Sequence, residues 1–513
     1  MSTSERLPKP GANATGHTPE LPVLPQGYHC AVTWGIPNDF GGMTSALLRR
    51  SRAFVREAGV HVDVLTFEYD AFYEEVRCEL EVAGELIAGM RLRNLWEELA
   101  SLSADVLRSA RSGRAVVGQF VPLSAPDAYT EDLAPHSIGR RTRYDASGKT
   151  ALQVDYLRPD GSIYVSDQRD IDSPGVEGKR LVTLCGYGGE PIASWNQMWP
   201  LYLFWLDTVV ESRETFMIVD SKSTANFITR YRRDNVVTLH LVHNSHMAAG
   251  QLPPHGQLSS VRRYVFERLS SYDGIVLLTR KQKRDVDEVY SPGNTFVVPN
   301  STELPDLSLA DGARAQRHGV MLASLTGRKQ IDHAILAIRD ANAVATEPFI
   351  LTIYGQGPER AALESLIAES DLVDHVSLAG YVDNPREQLE SASFVLLTSK
   401  AEGLPLVILE ALSVGCLPIA YDMPYGPGDT IIDGVNGYLV AAGDISAATE
   451  RILSLGELGP EAVEEMRRRA RSTAEGFSDQ AVTATWGEVM RAATEAKLRA
   501  IVDRLTRSDS VRS

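Results

Sequence analysis

The chain has 513 residues, 43% of them hydrophobic and 23% charged, which describes an ordinary globular protein large enough for two or three domains with separate cores. A formal charge of −16 argues against a general nucleic-acid binder, whose affinity comes from neutralising phosphates, but leaves room for a local basic patch facing a polyanion. Cys30, Cys78, Cys185 and Cys416 lie far apart without metal-ligand spacing and read as buried thiols in a reducing compartment rather than a disulfide framework.

Residues 1–25 contain Pro, Gly, Ser and Thr but no apolar run, so they are expected to form a disordered tail and not a secretory signal. Met198 to Val210 is the longest apolar stretch, too short to span a bilayer and interrupted by Asp207. A cytoplasmic location follows, with the inner membrane face as the place for any peripheral membrane association. Tyr28 to Trp34 reads as a first strand, Met43 to Ala58 as a helix closed by Gly59, and Val60 to Thr66 as the next strand, a β-α-β unit. Gly41-Gly42 opens that helix, where glycine lets a phosphate approach the backbone and the helix end is positive; a purely steric reason for the pair is the alternative. Glu74 to Arg111 reads as charged and helical.

From Arg140 the pattern alternates like half-exposed strands, at Thr142 to Asp145, Leu152 to Leu157 and Ser162 to Ser166, with turns at Ser147-Gly148-Lys149 and Pro159-Asp160-Gly161. This predicts a β-meander inserted at about residues 112–190 into an N-terminal domain of residues 26–304. Arg140, Arg141 and Arg143 at its start suit acceptor phosphates, or form a solvated charged face. Met217 to Asp220 and Val236 to Val242 restore the parallel-strand pattern, and the second ends in His243-Asn244-Ser245-His246, at the carboxyl end where ligands bind. Ser301 to Gly319 is the expected hinge. A second β-α series, residues 305–478, follows with strands at Val320 to Ala323, Phe349 to Tyr354 and Val376 to Leu378, and residues 479–513 read as a closing helical segment. The fold class is α/β: two Rossmann-like domains facing a cleft, with a β-rich insert in the first.

Ala401 to Ala420, AEGLPLVILEALSVGCLPIA, lies at the centre of the second domain. Phe394 to Leu397 reads as a buried strand, Pro405 as a first helical residue, and Gly415 as the helix stop before a strand at Leu417. Glu402 then sits in the loop at the strand's carboxyl end and Glu410 on the helix, flanking a helix N-terminus suited to a diphosphate. Two carboxylates on either side of a diphosphate fit a nucleotide sugar; an ordinary parallel unit with two incidental glutamates is the alternative.

The whole string resembles the donor-site signature of retaining glycosyltransferases of family four, which have the two-domain GT-B architecture. The resemblance implies that Glu402 contacts the transferred hexose, Glu410 the ribose, and the backbone of Gly403, Leu404 and Pro405 the sugar and diphosphate. It also implies that Gly42 approaches the donor phosphates or the acceptor, that Gly355 with Gly357 forms a tight donor-side turn, and that Tyr381 lies beside the base. His243 takes the place of a histidine closing the same strand, contacting hexose or acceptor across the cleft, with His246 as a second. The motif YD-x2-GK with Y-x2-PDGSIYVS resembles the subgroup that glycosylates poly(glycerol phosphate) wall teichoic acid, and related transferases of serine-rich adhesins, where the insert serves acceptor binding or self-association. Arg140, Arg141 and His246 are therefore the acceptor-side candidates and homo-oligomerisation through the insert is expected.

One departure stands out. The family's arginine about five residues before its lysine is replaced by Ser324, while the lysine is present as Lys329, and Arg328 is the candidate substitute. Asp285-Val286-Asp287 reads as a solvated face, so no metal is expected; the only co-substrate is the nucleotide sugar, UDP-glucose or UDP-N-acetylglucosamine. The candidate catalytic residues are His243, Lys329 and Glu402; the donor-side candidates are Gly42, Arg328, Gly355, Tyr381, Gly403, Leu404, Pro405 and Glu410. The expected partners are the nucleotide sugar and a polyanionic polymer, with no nucleic acid; the alternatives are a serine-rich protein acceptor and a catalytically silent binding or chaperone subunit.

Overall fold

The structure is a computed structural model, and it describes residues 22–37, 40–70, 72–113, 120–124, 128–132, 139–305, 314–382 and 384–512. Most of the predicted N-terminal tail lies outside the described residues. In chain order, the N-terminal part runs β1 (Tyr28–Val32), α1 (Gly42–Ala58), β2 (Val62–Thr66), α2 (Tyr73–Val82), β3 (Met90–Asn94), α3 (Leu95–Ser101) and α4 (Ala104–Arg108). An antiparallel segment follows: β4 (Thr130–Asp132), β5 (Gly139–Tyr144), β6 (Ala151–Leu157), β7 (Ile163–Gln168), β8 (Leu181–Cys185) and β9 (Pro191–Trp195). The chain then returns through α5 (Trp199–Val210), β10 (Thr215–Val219), α6 (Lys222–Ile228), β11 (Val236–Val242), α7 (Ser260–Phe266), β12 (Gly274–Leu277), α8 (Arg280–Tyr290) and β13 (Thr295–Val297).

The C-terminal part contains β14 (Ala315–Leu322), α9 (Ile331–Asn342), β15 (Ile350–Tyr354), α10 (Arg360–Glu369), β16 (Val376–Gly380), α11 (Pro385–Ser391), β17 (Ala392–Leu397), α12 (Leu406–Val414), β18 (Leu417–Asp422), α13 (Pro427–Thr430) and β19 (Tyr438–Ala441). Three helices close the chain: α14 (Ile445–Glu457), α15 (Pro460–Glu475) and α16 (Asp479–Arg512).

Two parallel sheets result, ordered β13-β12-β11-β10-β1-β2-β3 and β16-β15-β14-β17-β18-β19. In each, the chain builds outward on one side and then on the other, so strand order reverses between β1 and β10 and between β14 and β17. The crevices outside the carboxyl ends of those strand pairs are where such sheets bind ligands. The N-terminal crevice receives the Gly41-Gly42 turn and Asp220; the C-terminal one receives the loops bearing Lys329 and Glu402.

Helix α16 crosses back to the first domain. Val482, Trp486, Val489, Met490 and Ala493 on its inner face are buried with Phe54, Val62, Phe216 and Ile218 of the N-terminal sheet layer. Leu404 and Leu409, from α12 and the loop before it, enter the same cluster beside Leu239, Leu241, Val276 and Leu278. The two domains therefore share apolar core, each large side chain there contributing roughly 1.5–3 kcal/mol by its burial.

Several sequence expectations need correction. Within Glu74 to Arg111, Met90–Asn94 forms edge strand β3, because Met90 and Leu92 point inward while Arg91 and Arg93 reach the buried Asp63. The insert is a six-stranded antiparallel sheet running to Trp195 rather than three half-exposed strands. β6 and β7 are mostly buried because Tyr156, Tyr164 and Val165 pack with Trp96, Leu99 and Trp205 of the N-terminal domain. Residues Ala315 to Gly319, placed in the hinge by sequence, belong to β14. Cys78 is exposed, whereas Cys30, Cys185 and Cys416 are buried. The apolar stretch from Met198 forms the internal helix α5, whose Trp205 and Leu206 are fully buried. Among the described residues no helix is long and apolar enough to cross a membrane.

Candidate active site

The C-terminal half of the site follows from two loops tied together. Thr398 Oγ1 donates to the carbonyls of Lys329 and Gln330 at 3.1 and 2.7 Å, and the Lys400 amide donates to the Arg328 carbonyl at 2.9 Å. This brings the loop after β14 against the loop after β17. Lys329 Nζ donates to Glu402 Oε1 at 2.7 Å, and the Arg328 guanidinium reaches the same oxygen at 3.2 Å and the Ala401 carbonyl at 3.1 Å. Burial pushes the Glu402 carboxyl up, but the charges of Lys329 and Arg328 more than offset it and hold the group below the usual carboxylate range. Ser324 is exposed at the start of the loop; Arg328 converges with Lys329 on one carboxylate.

Helix α12 starts one residue later than the sequence suggests. Pro405 is its N-cap, in extended conformation at φ −67° and ψ 122°, and Gly415 ends it in the left-handed region at φ 73°. Glu410, on this helix, bonds Arg49 of α1 at 3.1 Å across the domain boundary. Burial pushes the Glu410 carboxyl up, and Arg49 offsets that in part. Leu404 spends its side chain on the shared core and its carbonyl on Asn300 Nδ2 at 2.8 Å. Gly355 and Gly357, at φ 144° and 159°, lie so close to the 323–325 backbone that an added Cβ would meet the Ala323 and Leu325 carbonyl oxygens at 2.0 and 2.3 Å. Tyr381 stands beyond β16, 68% exposed.

The N-terminal half is a buried charged cluster around His243, whose partners Asp220 and Arg50 sequence reasoning missed. Asp220, fully buried at the end of β10, accepts two hydrogen bonds from the Arg50 guanidinium at 2.8 Å each and one contact with His243 Nε2 at 2.7 Å. Burial raises the Asp220 carboxyl, yet Arg50 and His243 hold it at about 2. His243 is thus fixed in orientation by a carboxylate that is itself clamped. Gly41 caps α1 and Gly42 begins it, both exposed, and a Cβ at either would meet nothing within 4 Å. The protein's own packing does not require glycine there.

The halves touch directly. A Cβ on Gly403 would lie 2.0 Å from the His243 carbonyl oxygen, so the Glu402 loop and the His243 turn are in backbone contact. His246 is fully buried, its ring parallel to Phe266 at 5.0 Å and to Tyr425 of the other domain at 6.0 Å, with both ring nitrogens unpartnered. Arg140 and Arg141 are each paired with an acidic side chain: Arg140 with Asp70 at 2.7 Å and over the Tyr69 ring, Arg141 with Glu131 at 2.8 Å. Arg143 is held by Asp170 at 2.9 Å. The segment around Asp285 is no solvated face: Val286 is buried, Thr295 donates to Asp287, and Asp285 lies near Tyr425. Arg49, Arg50, Asp220 and Asn300 carried no sequence signal beyond their residue types.

Residues 316–474 match the family described as Glycosyl transferases group 1. Over 485 residues the chain is 21% identical to the poly(ribitol-phosphate) alpha-N-acetylglucosaminyltransferase of Staphylococcus aureus, covering 87% of this chain and 96% of that one. It is 22% identical to the poly(glycerol-phosphate) alpha-glucosyltransferase of Bacillus subtilis, over 88% of this chain and 71% of the other. The crystal structure of TarM superposes with a TM-score of 0.72 at 19% identity, covering 91% of this chain and 99% of that one. The pneumococcal O-GlcNAc transferase GtfA, solved with UDP and GlcNAc, gives 0.64 at 17% identity, covering 91% and 99%. Residues 316–474 therefore carry a group 1 glycosyltransferase domain, and the chain is a glycosyltransferase of the GT-B fold.

Proposed function

We propose that this protein is a retaining glycosyltransferase of family four that moves a hexose from UDP-glucose or UDP-N-acetylglucosamine to a hydroxyl of a poly(glycerol phosphate)-type polymer. One observation carries the reading: Lys329 and Arg328 converge on Glu402 at one crevice, and the clamped His243 faces them from the other across the Gly403 contact. Fixed cations beside a forming diphosphate stabilise a leaving group because they need no reorganisation as charge develops. Lys329 and Arg328 supply that charge, and Arg328 stands in for the arginine missing at Ser324. The free N–H groups at the start of α12 add partial positive charge.

In this reading Glu402 orients the hexose and Glu410 the ribose, each partly released from its cation when the donor arrives. His243 receives the hexose or the acceptor hydroxyl on the opposite face, held by Asp220 so that the attacking oxygen and anomeric carbon meet in a fixed geometry. Retention follows if the acceptor attacks from the face the diphosphate leaves. The names of the S. aureus and B. subtilis relatives favour a polyol-phosphate acceptor. The likeness to GtfA favours the second reading, transfer to serine-rich protein. A silent binding subunit draws support only from Ser324.

The test is transfer by purified full-length protein from a panel of nucleotide sugars, with poly(glycerol phosphate) or a serine-rich peptide as acceptor and with EDTA throughout. Transfer to the polymer, lost in Glu402→Ala, supports the reading. Transfer to the peptide alone moves the acceptor to the second reading, and donor binding with neither hydrolysis nor transfer makes the chain a silent subunit.

A further inference from the structure

Arg262 is the unusual cation of the N-terminal domain. Arg50 and Arg158 of the same domain are each held by carboxylates or carbonyls. The Arg262 guanidinium is half-buried, and among the described residues no side chain or carbonyl hydrogen-bonds it. Burial without a counter-charge pushes its pKa down to about 10. A guanidinium in that condition costs free energy in the resting protein, and an anion that arrives at it removes the cost.

Its position is set by two neighbours. The Ser259 amide, at the start of α7, donates to the His246 carbonyl at 3.1 Å, which ties the first turn of α7 to the loop after β11. Arg262 and Phe266 are four apart and share one helix face, and the Phe266 ring lies flat against His246 at 5.0 Å. Arg262 therefore faces the His246 loop, and its charge, after burial, contributes to lowering His246. Around that loop lie further polar atoms without partners. Both nitrogens of the fully buried His246 are unsatisfied, as is Oε1 of the fully buried Gln282, whose amide nitrogen donates to the Asn244 carbonyl at 3.1 Å. Unsatisfied buried groups of this kind require an account, and hydroxyls of a polyol phosphate would bond them.

We propose that Arg262 binds an acceptor phosphate, with His246 and Gln282 contacting the adjoining polyol, and so makes the acceptor site selective for a phosphate-bearing chain. This rests on the reading of the protein as a glycosyltransferase with its acceptor on the N-terminal side. The donor diphosphate already has Lys329 and Arg328 on the opposite domain. Arg140 and Arg141, the acceptor candidates from sequence, are engaged by Asp70 and Glu131. A single oxyanion on an unpaired guanidinium is a bidentate, charge-assisted contact, whose loss is read as a tenfold or greater fall in affinity.

The experiment is equilibrium binding of a defined glycerol-phosphate oligomer to the full chain, with glycerol, inorganic phosphate and UDP as comparison probes, in wild type, Arg262→Gln and Arg262→Lys. Oligomer affinity should fall at least tenfold in R262Q and about threefold in R262K, with UDP binding unchanged within twofold. Inorganic phosphate should compete with the oligomer, and glycerol should not. Thermal midpoints of both variants should equal or exceed wild type, because an unpaired buried cation is being removed or made more compact; if R262Q does not fold, R262K still reads the effect. The inference is overturned if R262Q binds the oligomer like wild type, if UDP binding falls in parallel, or if wild type binds no oligomer. Arg262-dependent binding without sugar transfer from any donor sustains the inference and refutes the glycosyl-transfer reading, whereas unaltered polymer transfer by R262Q refutes the inference alone.

Discussion

Gly403→Ala isolates the contact between the two halves of the site. Gly403 is not among the glycines with positive φ, so alanine suits its backbone, and the whole effect must come from the new methyl group. That carbon would lie 2.0 Å from the His243 carbonyl oxygen, 2.7 Å from the carbonyl carbon and 3.1 Å from Leu278 Cδ1. Since real Cβ contacts stay beyond 3.0 Å, the Glu402 loop and the His243 turn must separate by about 1 Å. A misplacement of about 1 Å between reacting groups costs on the order of 10²-fold in rate. The variant should therefore lose roughly a hundredfold in kcat/KM for transfer while binding UDP within about threefold of wild type, since Lys329, Arg328 and α12 lie in one domain. Initial-rate kinetics paired with calorimetric UDP titration measures both quantities. Transfer within threefold of wild type would show that this apposition does not belong to the working geometry.

Asp220→Asn leaves Arg50 and His243 without their carboxylate and should cost about 3–5 kcal/mol of stability, as broken buried ion pairs do; a thermal midpoint unchanged by more than 2 °C would contradict that. Because Asp220 is held at about 2 in the folded protein, below its ordinary range, its contribution is complete above about pH 4 and is lost as pH falls from 4 toward 2. Acid denaturation of D220N should consequently be flatter than wild type over that window. Trp486→Ala, at a 2% exposed position on α16 under the Arg50 guanidinium, should destabilise the protein by about 3–5 kcal/mol, and a loss below 1 kcal/mol would mean that α16 does not dock as described. Gly42→Ala should leave the thermal midpoint unchanged, because its Cβ meets nothing within 4 Å, yet raise KM for donor or acceptor about tenfold; unchanged KM values for both would remove Gly42 from the site.

How much of this was legible in the sequence depends on whether the signal was local. The stretch from Phe394 to Ala420 announced itself: a buried strand, a turn, a helix closed by a left-handed glycine and another strand, each fixed by neighbours a few residues away. Glu402 and His243 stand out because each lies in the loop at the carboxyl end of a strand, where topology puts ligands, whereas Lys329 is marked only by the resemblance, which supplies a lysine after the first strand of the second domain. Strand β3 was hidden because its outward residues are Arg91 and Arg93, whose partner Asp63 sits on the neighbouring strand. The burial of β6 and β7 was hidden because the aromatic residues that cover them, Trp96 and Trp205, come from helices outside the insert. The Arg50–Asp220 clamp joins residues 170 positions apart, and the Arg49–Glu410 bridge joins residues 361 apart. Neither pairing leaves a trace in composition or period. Arg262 is legible only in the folded chain, since what marks it is the lack of a side-chain partner among the described residues.

The central claim is that Glu402, with Lys329 and Arg328, forms the donor end of a sugar-transferring site. The most direct measurement is the product of UDP-hexose and glycerol-phosphate oligomer incubated with wild type and Glu402→Ala, resolved by NMR at the anomeric carbon. An α-linked hexose on the oligomer made by wild type and reduced at least a thousandfold in E402A is the predicted result. A β-linked product, or equal transfer by the two proteins, would contradict the account.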